Sequence, residues 1–360
     1  MSQPIVQEVE AEVKRDFTVV ATYYREGGAV EFSILEDGPY KATFERLAAR
    51  LRPMGYIPML RRTDETLTLI AQPYPFSRRT RAHLPMILLV ATLASALADG
   101  WIRSSAIAGI IPRDQVLVTA GLYAFVVLAI IGLHEAGHYF VGRMRGQRPS
   151  LPYFIPGIPS VIPTFGALIV ATEPSVNRDA EFDLGASGPL TGLAVTFVVL
   201  FVGILNTRVV SLDVAKSVLG PNLNFIPQLP VGLEFLVNFF LHPGPNDVVV
   251  FSPILYAAWF GFLITFLNLM PAWQLDGGHM AASVLNAKGR SLATMLSVFV
   301  LLLLQLYLMA FFIFFLSWGA REVRPLDDVS SVSKGRVLLF VAMMVLAGLT
   351  VGLFLFPPIY

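Results

Sequence analysis

The 360-residue chain contains no cysteine. Disulfides, thiol nucleophiles and Cys-ligated metals are therefore excluded, the redox compartment is unreadable, and any metal must be held by His, Asp or Glu. Charge is also scarce: 14% of residues are Asp, Glu, Lys or Arg, against about 25% in an ordinary soluble domain. With 55% hydrophobic residues and a mean hydropathy of +0.66, a water-soluble globule is excluded. A net charge of +1 gives none of the basic surface that nucleic-acid binding requires, so no nucleic-acid partner is expected. Residues 1–16 carry Glu8, Glu10 and Glu12 and no apolar core; they match neither a secretory signal nor an acid-poor transit peptide. The sequence reading expects the amino terminus to be retained and cytosolic.

What charge there is crowds into a few segments, with long uncharged runs between them. Residues 1–82 alone have soluble-protein composition. Strands over 17–24 and 29–35 flank Gly27-Gly28, a pair suited to a tight turn. Phe44, Leu47, Leu51 and Met54 recur at helical spacing within 40–54, and 57–62 with 67–71 supply a second strand pair. This predicts a small soluble α+β N-terminal domain over 1–82. Residues 83–360 then form a membrane-embedded domain, because its uncharged runs reach the roughly 20 helical residues that a bilayer crossing needs. About six transmembrane helices are expected, at 84–102, 115–142, 184–206, 248–275, 291–318 and 337–356. The uncharged stretch 150–172 is not a seventh. Pro152, Pro156, Pro159 and Pro163 break any helix, and Thr164–Thr172 reads as a strand, so this is a re-entrant or interfacial segment shielded from lipid. The fold class is an α-helical polytopic membrane protein. Arg78, Arg79 and Arg81, then Arg143, Arg145 and Arg148, then Lys288 and Arg290 fall on the cytosolic side when the amino terminus does. Parity puts the loop holding Arg321, Arg324, Lys334 and Arg336 outside, against that rule.

The expected second span ends in His134-Glu135-Ala136-Gly137-His138, which uses two of the five histidines of the chain. On a helix, residues i and i+4 share a face, so both imidazoles can reach one tetrahedral ion. Glu135 lies beside them, within reach of a water on that ion without being a ligand. Ionisable groups inside a span are costly and mark function by default. A third ligand is needed, and Asp276 is the candidate. It follows the uncharged run 248–275, where Pro271 interrupts the helix and Gly277-Gly278 permits a sharp exit. The two motifs fall near the same ends of parallel spans, at matching depth.

At this point the chain resembles the site-2 protease family of intramembrane zinc metalloproteases. The resemblance rests on HEAGH at 134–138 and on Asn268-x-x-Pro271-x-x-x-Leu275-Asp276-Gly277-Gly278. Gly185 to Gly192 (GASGPLTG) and Thr164-Phe165-Gly166-Ala167 extend it. Pro325-Leu326-Asp327-Asp328 and the soluble amino-terminal region place it nearest the archaeal and plastid-like branch, with no inserted PDZ-like domain. The resemblance covers roughly 84–356. It implies one Zn2+ per chain held by His134, His138 and Asp276, with Glu135 activating water as general base and acid. It further implies Asn268 as the group holding substrate backbone or developing oxyanion, and Thr164, Phe165 and Gly166 on a strand that pairs with unwound substrate. Substrates would be transmembrane proteins in the lipid bilayer. The location would be a prokaryotic cytoplasmic membrane or, alternatively, a photosynthetic organelle membrane.

Plainer readings stand beside these. The two histidines and Glu135 would otherwise be a buried helical cluster, Asp276 an acid at a helix exit, and Asn268 a bond between helices. Gly185, Gly188 and Gly192 read as close helix contacts, His279 as interfacial and His242 as a loop residue. A metal or proton transporter could use the same buried groups, but internal repeats, its usual sign, are absent from the sequence. An inactive relative would lack Glu135 or a ligand, and none is missing.

Overall fold

The computed structural model describes residues 3–63, 66–75, 83–170, 173–220, 231–317 and 324–354. Arg78, Arg79, Arg81 and Arg321 lie outside the described residues. So do the ends of three expected segments, at 171–172, 318 and 355–356.

The amino-terminal part runs α1 (Gln3–Asp16), β1 (Val19–Tyr24), β2 (Val30–Ile34), α2 (Lys41–Leu51), β3 (Tyr56–Thr63) and β4 (Thr66–Pro73). The strands form an antiparallel sheet in the order β1-β2-β4-β3. Gly27 and Gly28 both take positive φ, 75° and 83°, in the turn between β1 and β2. Val30, Phe32 and Ile34 alternate inward, and Phe44, Leu47 and Leu51 of α2 bury against them. α1 is a departure from expectation. Its acids hide a narrow stripe in which Val9 and Val13, one helical turn apart, are fully buried and lead into Phe17.

The rest of the chain continues with α3 (His83–Ala106), α4 (Val116–Met144), β5 (Tyr153–Ile158), β6 (Ile162–Leu168) and α5 (Arg178–Asn206). After these come β7 (Arg208–Ser211), α6 (Leu212–Leu219), α7 (Val231–Leu241) and β8 (Asp247–Val250). The chain closes with α8 (Pro253–Leu269), α9 (Asp276–Val284), α10 (Ala287–Leu303), α11 (Tyr307–Ser317) and α12 (Lys334–Phe354). Among the described residues, four helices are long and apolar enough to cross a membrane: His83–Ala106, Arg113–Met144, Arg178–Asn206 and Lys334–Leu353. The protein is a membrane protein. A core including Val127, Ile130, Leu193, Leu200, Phe260 and Phe262 joins α4, α5 and α8.

Two expected spans differ. In place of one helix over 248–275 there is β8, paired with β7, then α8, whose helix ends at Leu269 before Pro271. In place of one helix over 291–318 there are two. α10 closes with Leu306 N–H donating to Leu301 O and Gln305 N–H to Leu302 O, with Gln305 at φ 60°. This is a Schellman cap built on glutamine where glycine is usual, which is why the apolar pattern runs straight through it. The start of α10 (Ala287, Arg290) and the segment beyond α11 (Arg324, Pro325) line one cavity of about 190 Å³. The pair therefore enters and leaves the core on one face.

The parity assignment for the loop after α11 is corrected accordingly. Arg336 makes ion pairs to Asp183 at 2.6 Å and to Asp179 at 3.1 Å, and Lys41 donates to Ser331 O at 2.6 Å. The face that carries Arg143 and Arg145 thus also carries Arg324, Lys334 and Arg336. The amino-terminal layer is fastened to that face. Leu326 is buried in its core; Leu60 N–H donates to Leu326 O and Leu326 N–H to Ser175 O, both at 2.8 Å. Lys41 pairs with Asp179 at 2.9 Å and Arg52 with Glu173.

The proline-rich stretch is a hairpin, β5 with β6. The expected strand begins earlier than Thr164 and has a partner. Pro156 is accommodated where the ladder register shifts, as a residue without an N–H requires.

Candidate metal centre

α4 carries His134, Glu135 and His138, the first two buried. Opposite them, α8 stops at Leu269 and the chain reverses through Met270–Leu275, with Gln274 at φ 52°, so that Asp276 opens α9. The reversal has no room for side chains at its glycines. A Cβ on Gly277 would stand 2.2 Å from Leu269 O, and one on Gly278 2.1 Å from Ala272 O.

His134 Nε2 lies 3.1 Å from Asp276 Oδ2, His138 Nε2 lies 3.2 Å from Asp276 Oδ1, and the two Nε2 atoms are 3.2 Å apart. Ligands on one tetrahedral ion at about 2.0–2.1 Å stand roughly 3.3 Å from each other, so the spacing is that of a shared cation. Hydrogen bonding supports the same reading. His138 Nδ1 is 2.8 Å from Leu184 O; a neutral ring that donates there presents a bare Nε2 lone pair to a carboxylate. Two such acceptors face each other favourably with a cation between them, and the carbonyl fixes the ring in that orientation. Among the described residues, these three side chains form the group able to hold a metal ion.

α5 supplies the space. A Cβ on Gly188 would lie 2.1 Å from His138 Nε2, one on Gly192 2.9 Å from His134 Nδ1, and one on Gly185 2.6 Å from Asp276 O. The spacing i, i+3, i+7 puts all three on one bare face. The sequence points to close helix approach here; the neighbours prove to be the residues of the candidate metal group.

Asn268, in the last turn of α8, brings Nδ2 to 3.3 Å from His134 Nε2, beside the metal position. Thr164, Phe165 and Gly166 make no hydrogen bond or ion pair to the metal group among the described residues. Thr164 is buried and its hydroxyl donates to Ile155 O at 2.7 Å and accepts from Gly166 N–H at 3.0 Å. Phe165 is exposed. The hairpin does pack near the centre: the Phe154 ring approaches within 3.8 Å of where a Gly132 Cβ would be, two residues from His134. His279 is not in the metal group; its Nδ1 is 2.6 Å from Glu181 Oε1, which anchors α9 to α5. Sequence reasoning missed that pair, since nothing in the spacing relates positions 181 and 279.

Residues 122–310 match the family model described as Peptidase family M50. The chain is 30% identical over 244 residues to "Probable zinc metalloprotease EGY2, chloroplastic" of Oryza sativa subsp. indica, covering 66% of this chain and 43% of that protein. Identity is also 30% to the Arabidopsis thaliana protein of the same name, over 62% of this chain and 40% of the relative. To "Probable zinc metalloprotease EGY1, chloroplastic" of Oryza sativa subsp. japonica it is 30% over 43% and 26%. The chain thus aligns with less than half the length of these curated relatives. No solved structure matches. All three metal-facing side chains, Glu135 and Asn268 fall inside the matched stretch, which spans more than half of the sequence, and the chain belongs to peptidase family M50.

Proposed function

We propose that the protein is an intramembrane zinc metalloendopeptidase that hydrolyses a peptide bond in or near the transmembrane segment of membrane-protein substrates. The observation that carries this is the convergence of His134, His138 and Asp276 at 3.1–3.2 Å, with Glu135 next to His134 on the same helix. These three residues would hold one Zn2+ per chain. When bound, zinc supplies a Lewis acid for the scissile carbonyl and lowers the pKa of water towards about 7. Glu135, turned about 100° around α4 from His134, takes a proton from the attacking water and delivers it to the leaving nitrogen. Asn268 holds the substrate backbone, or the oxygen on which negative charge develops, through its amide. Because a helix hides its peptide bonds, the substrate unwinds and pairs with the edge of β6 at Thr164-Phe165-Gly166. The Thr164 hydroxyl is engaged within the hairpin, so recognition there is by backbone.

In this reading residues 1–82 form an N-terminal soluble domain and 83–360 the membrane-embedded protease. About six helical segments lie in the bilayer: α3, α4, α5, α8, the α10–α11 pair and α12. The face bearing Arg143, Arg145, Arg324 and Arg336 is cytosolic by the positive-inside bias, which puts the amino terminus there too. The membrane is a prokaryotic cytoplasmic membrane or the corresponding membrane of a photosynthetic organelle; the names of the relatives favour the second.

The test is chelation of the purified full chain with a transmembrane substrate present. Cleavage should stop when zinc is removed and return when zinc is added. Undiminished cleavage by zinc-free protein would overturn the reading.

A further inference from the structure

Far from the metal centre along α4, a second set of polar groups is buried between helices. Asp99 of α3 is fully buried. Its Oδ2 accepts from Arg103 Nε at 2.8 Å and from the Tyr123 hydroxyl on α4; its Oδ1 accepts from the Ser160 backbone N–H at 2.7 Å. The Arg103 guanidinium lies over the Tyr256 ring of α8, 3.5 Å from its centroid. Ser160 sits in the turn joining β5 to β6 and has φ 72°, a left-handed conformation uncommon for a residue with a Cβ. One turn earlier on α3, Ser95 Oγ donates to Gly157 O at 2.9 Å.

A buried ion pair costs desolvation that an apolar contact avoids, so bolting α3 to α4 does not by itself call for one. What the Asp99 carboxylate adds is a second oxygen, which no apolar side chain could offer to Ser160 N–H. The hairpin is then held at two heights on α4. Its tip is tied through Asp99 beside Tyr123, and its other end packs Phe154 near Gly132.

We propose that Asp99 is a positioning residue for proteolysis: it fixes the hairpin tip and so sets the register in which β6 presents substrate to the metal centre. The inference rests on the strand-pairing reading given above. Register decides which peptide bond reaches the centre, because a slipped strand offers a different residue at each position.

The experiment uses the full chain in lipid nanodiscs, as wild type, Asp99→Leu, which removes both acceptor oxygens, and the Asp99→Leu/Arg103→Leu pair, which also removes the cation otherwise left unpaired. Zinc content checks that each variant is folded. Tip position is read by spin-label distances between exposed positions 161 and 125, and cleavage by KM, kcat and mass spectrometry of the products. The expectation is a broadened distance, a KM raised about tenfold with kcat changed less than about twofold, and products cut at several neighbouring bonds in place of one. An unbroadened distance in Asp99→Leu overturns the anchoring role, whatever the kinetics. A broadened distance with wild-type KM and a single cut overturns the link to substrate, and the strand reading with it. Should Asp99→Leu fail to fold, the Asp99→Leu/Arg103→Leu pair decides by the same outcomes.

Discussion

At the scale of single residues, the α5 glycines carry the sharpest consequence. A methyl at position 188 would overlap His138 Nε2, whose ring is backed by Leu184 O and has nowhere to retreat. Gly188→Ala should therefore lower the zinc content of the purified protein and destabilise the fold by about 1–3 kcal/mol; elemental analysis and a thermal melt read both. Full zinc occupancy with an unchanged melt would contradict the packing described. The candidate site was legible in the sequence because its parts are locally marked: His134, Glu135 and His138 lie within five residues, and Asp276 is marked by Pro271 and the glycine pair. The room those side chains need was not legible. It is made by another helix, and a glycine that admits an imidazole reads the same as one that admits a helix backbone.

Among elements, the start of α5 joins the two layers. Asn177 caps it, Oδ1 accepting from Ala180 N–H at 2.9 Å, while Nδ2 donates to Glu45 Oε1 of α2 at 2.6 Å. Asn177→Ala should cost about 1–2 kcal/mol through the cap and speed hydrogen exchange at 178–181; exchange as slow as in wild type would remove the cap from the account. Elements governed by strict periodicity, such as α2, β2 and the long apolar helices, could be read directly. Those missed have weak or misleading local signals. α1 shows two buried valines among acids, β7 and β8 are four-residue strands far apart in sequence, and the α10–α11 break depends on Gln305 adopting a left-handed conformation that glutamine rarely takes.

For the whole molecule, the α10–α11 reversal changes the sidedness of everything after it. The basic loop that offended the charge rule joins the face bearing Arg145, and the conflict between parity and charge disappears. The absence of cysteine makes this testable with single introduced thiols. In sealed vesicles, an impermeant thiol reagent should label Gly38→Cys and Lys334→Cys from one side and Pro245→Cys from the other. Labelling of positions 38 and 334 from opposite sides would restore a single crossing over 291–318. Sequence parity failed here because counting apolar runs cannot distinguish a crossing from a hairpin.

The central claim, that this scaffold holds a water-activating zinc site, is tested most directly by comparing wild type and Glu135→Gln for bound zinc and for cleavage of a transmembrane substrate. The account predicts about one zinc per chain in both, and a cleavage rate in the variant lower by at least about 10²–10⁴-fold. A variant that keeps its zinc and cuts at the wild-type rate would contradict it.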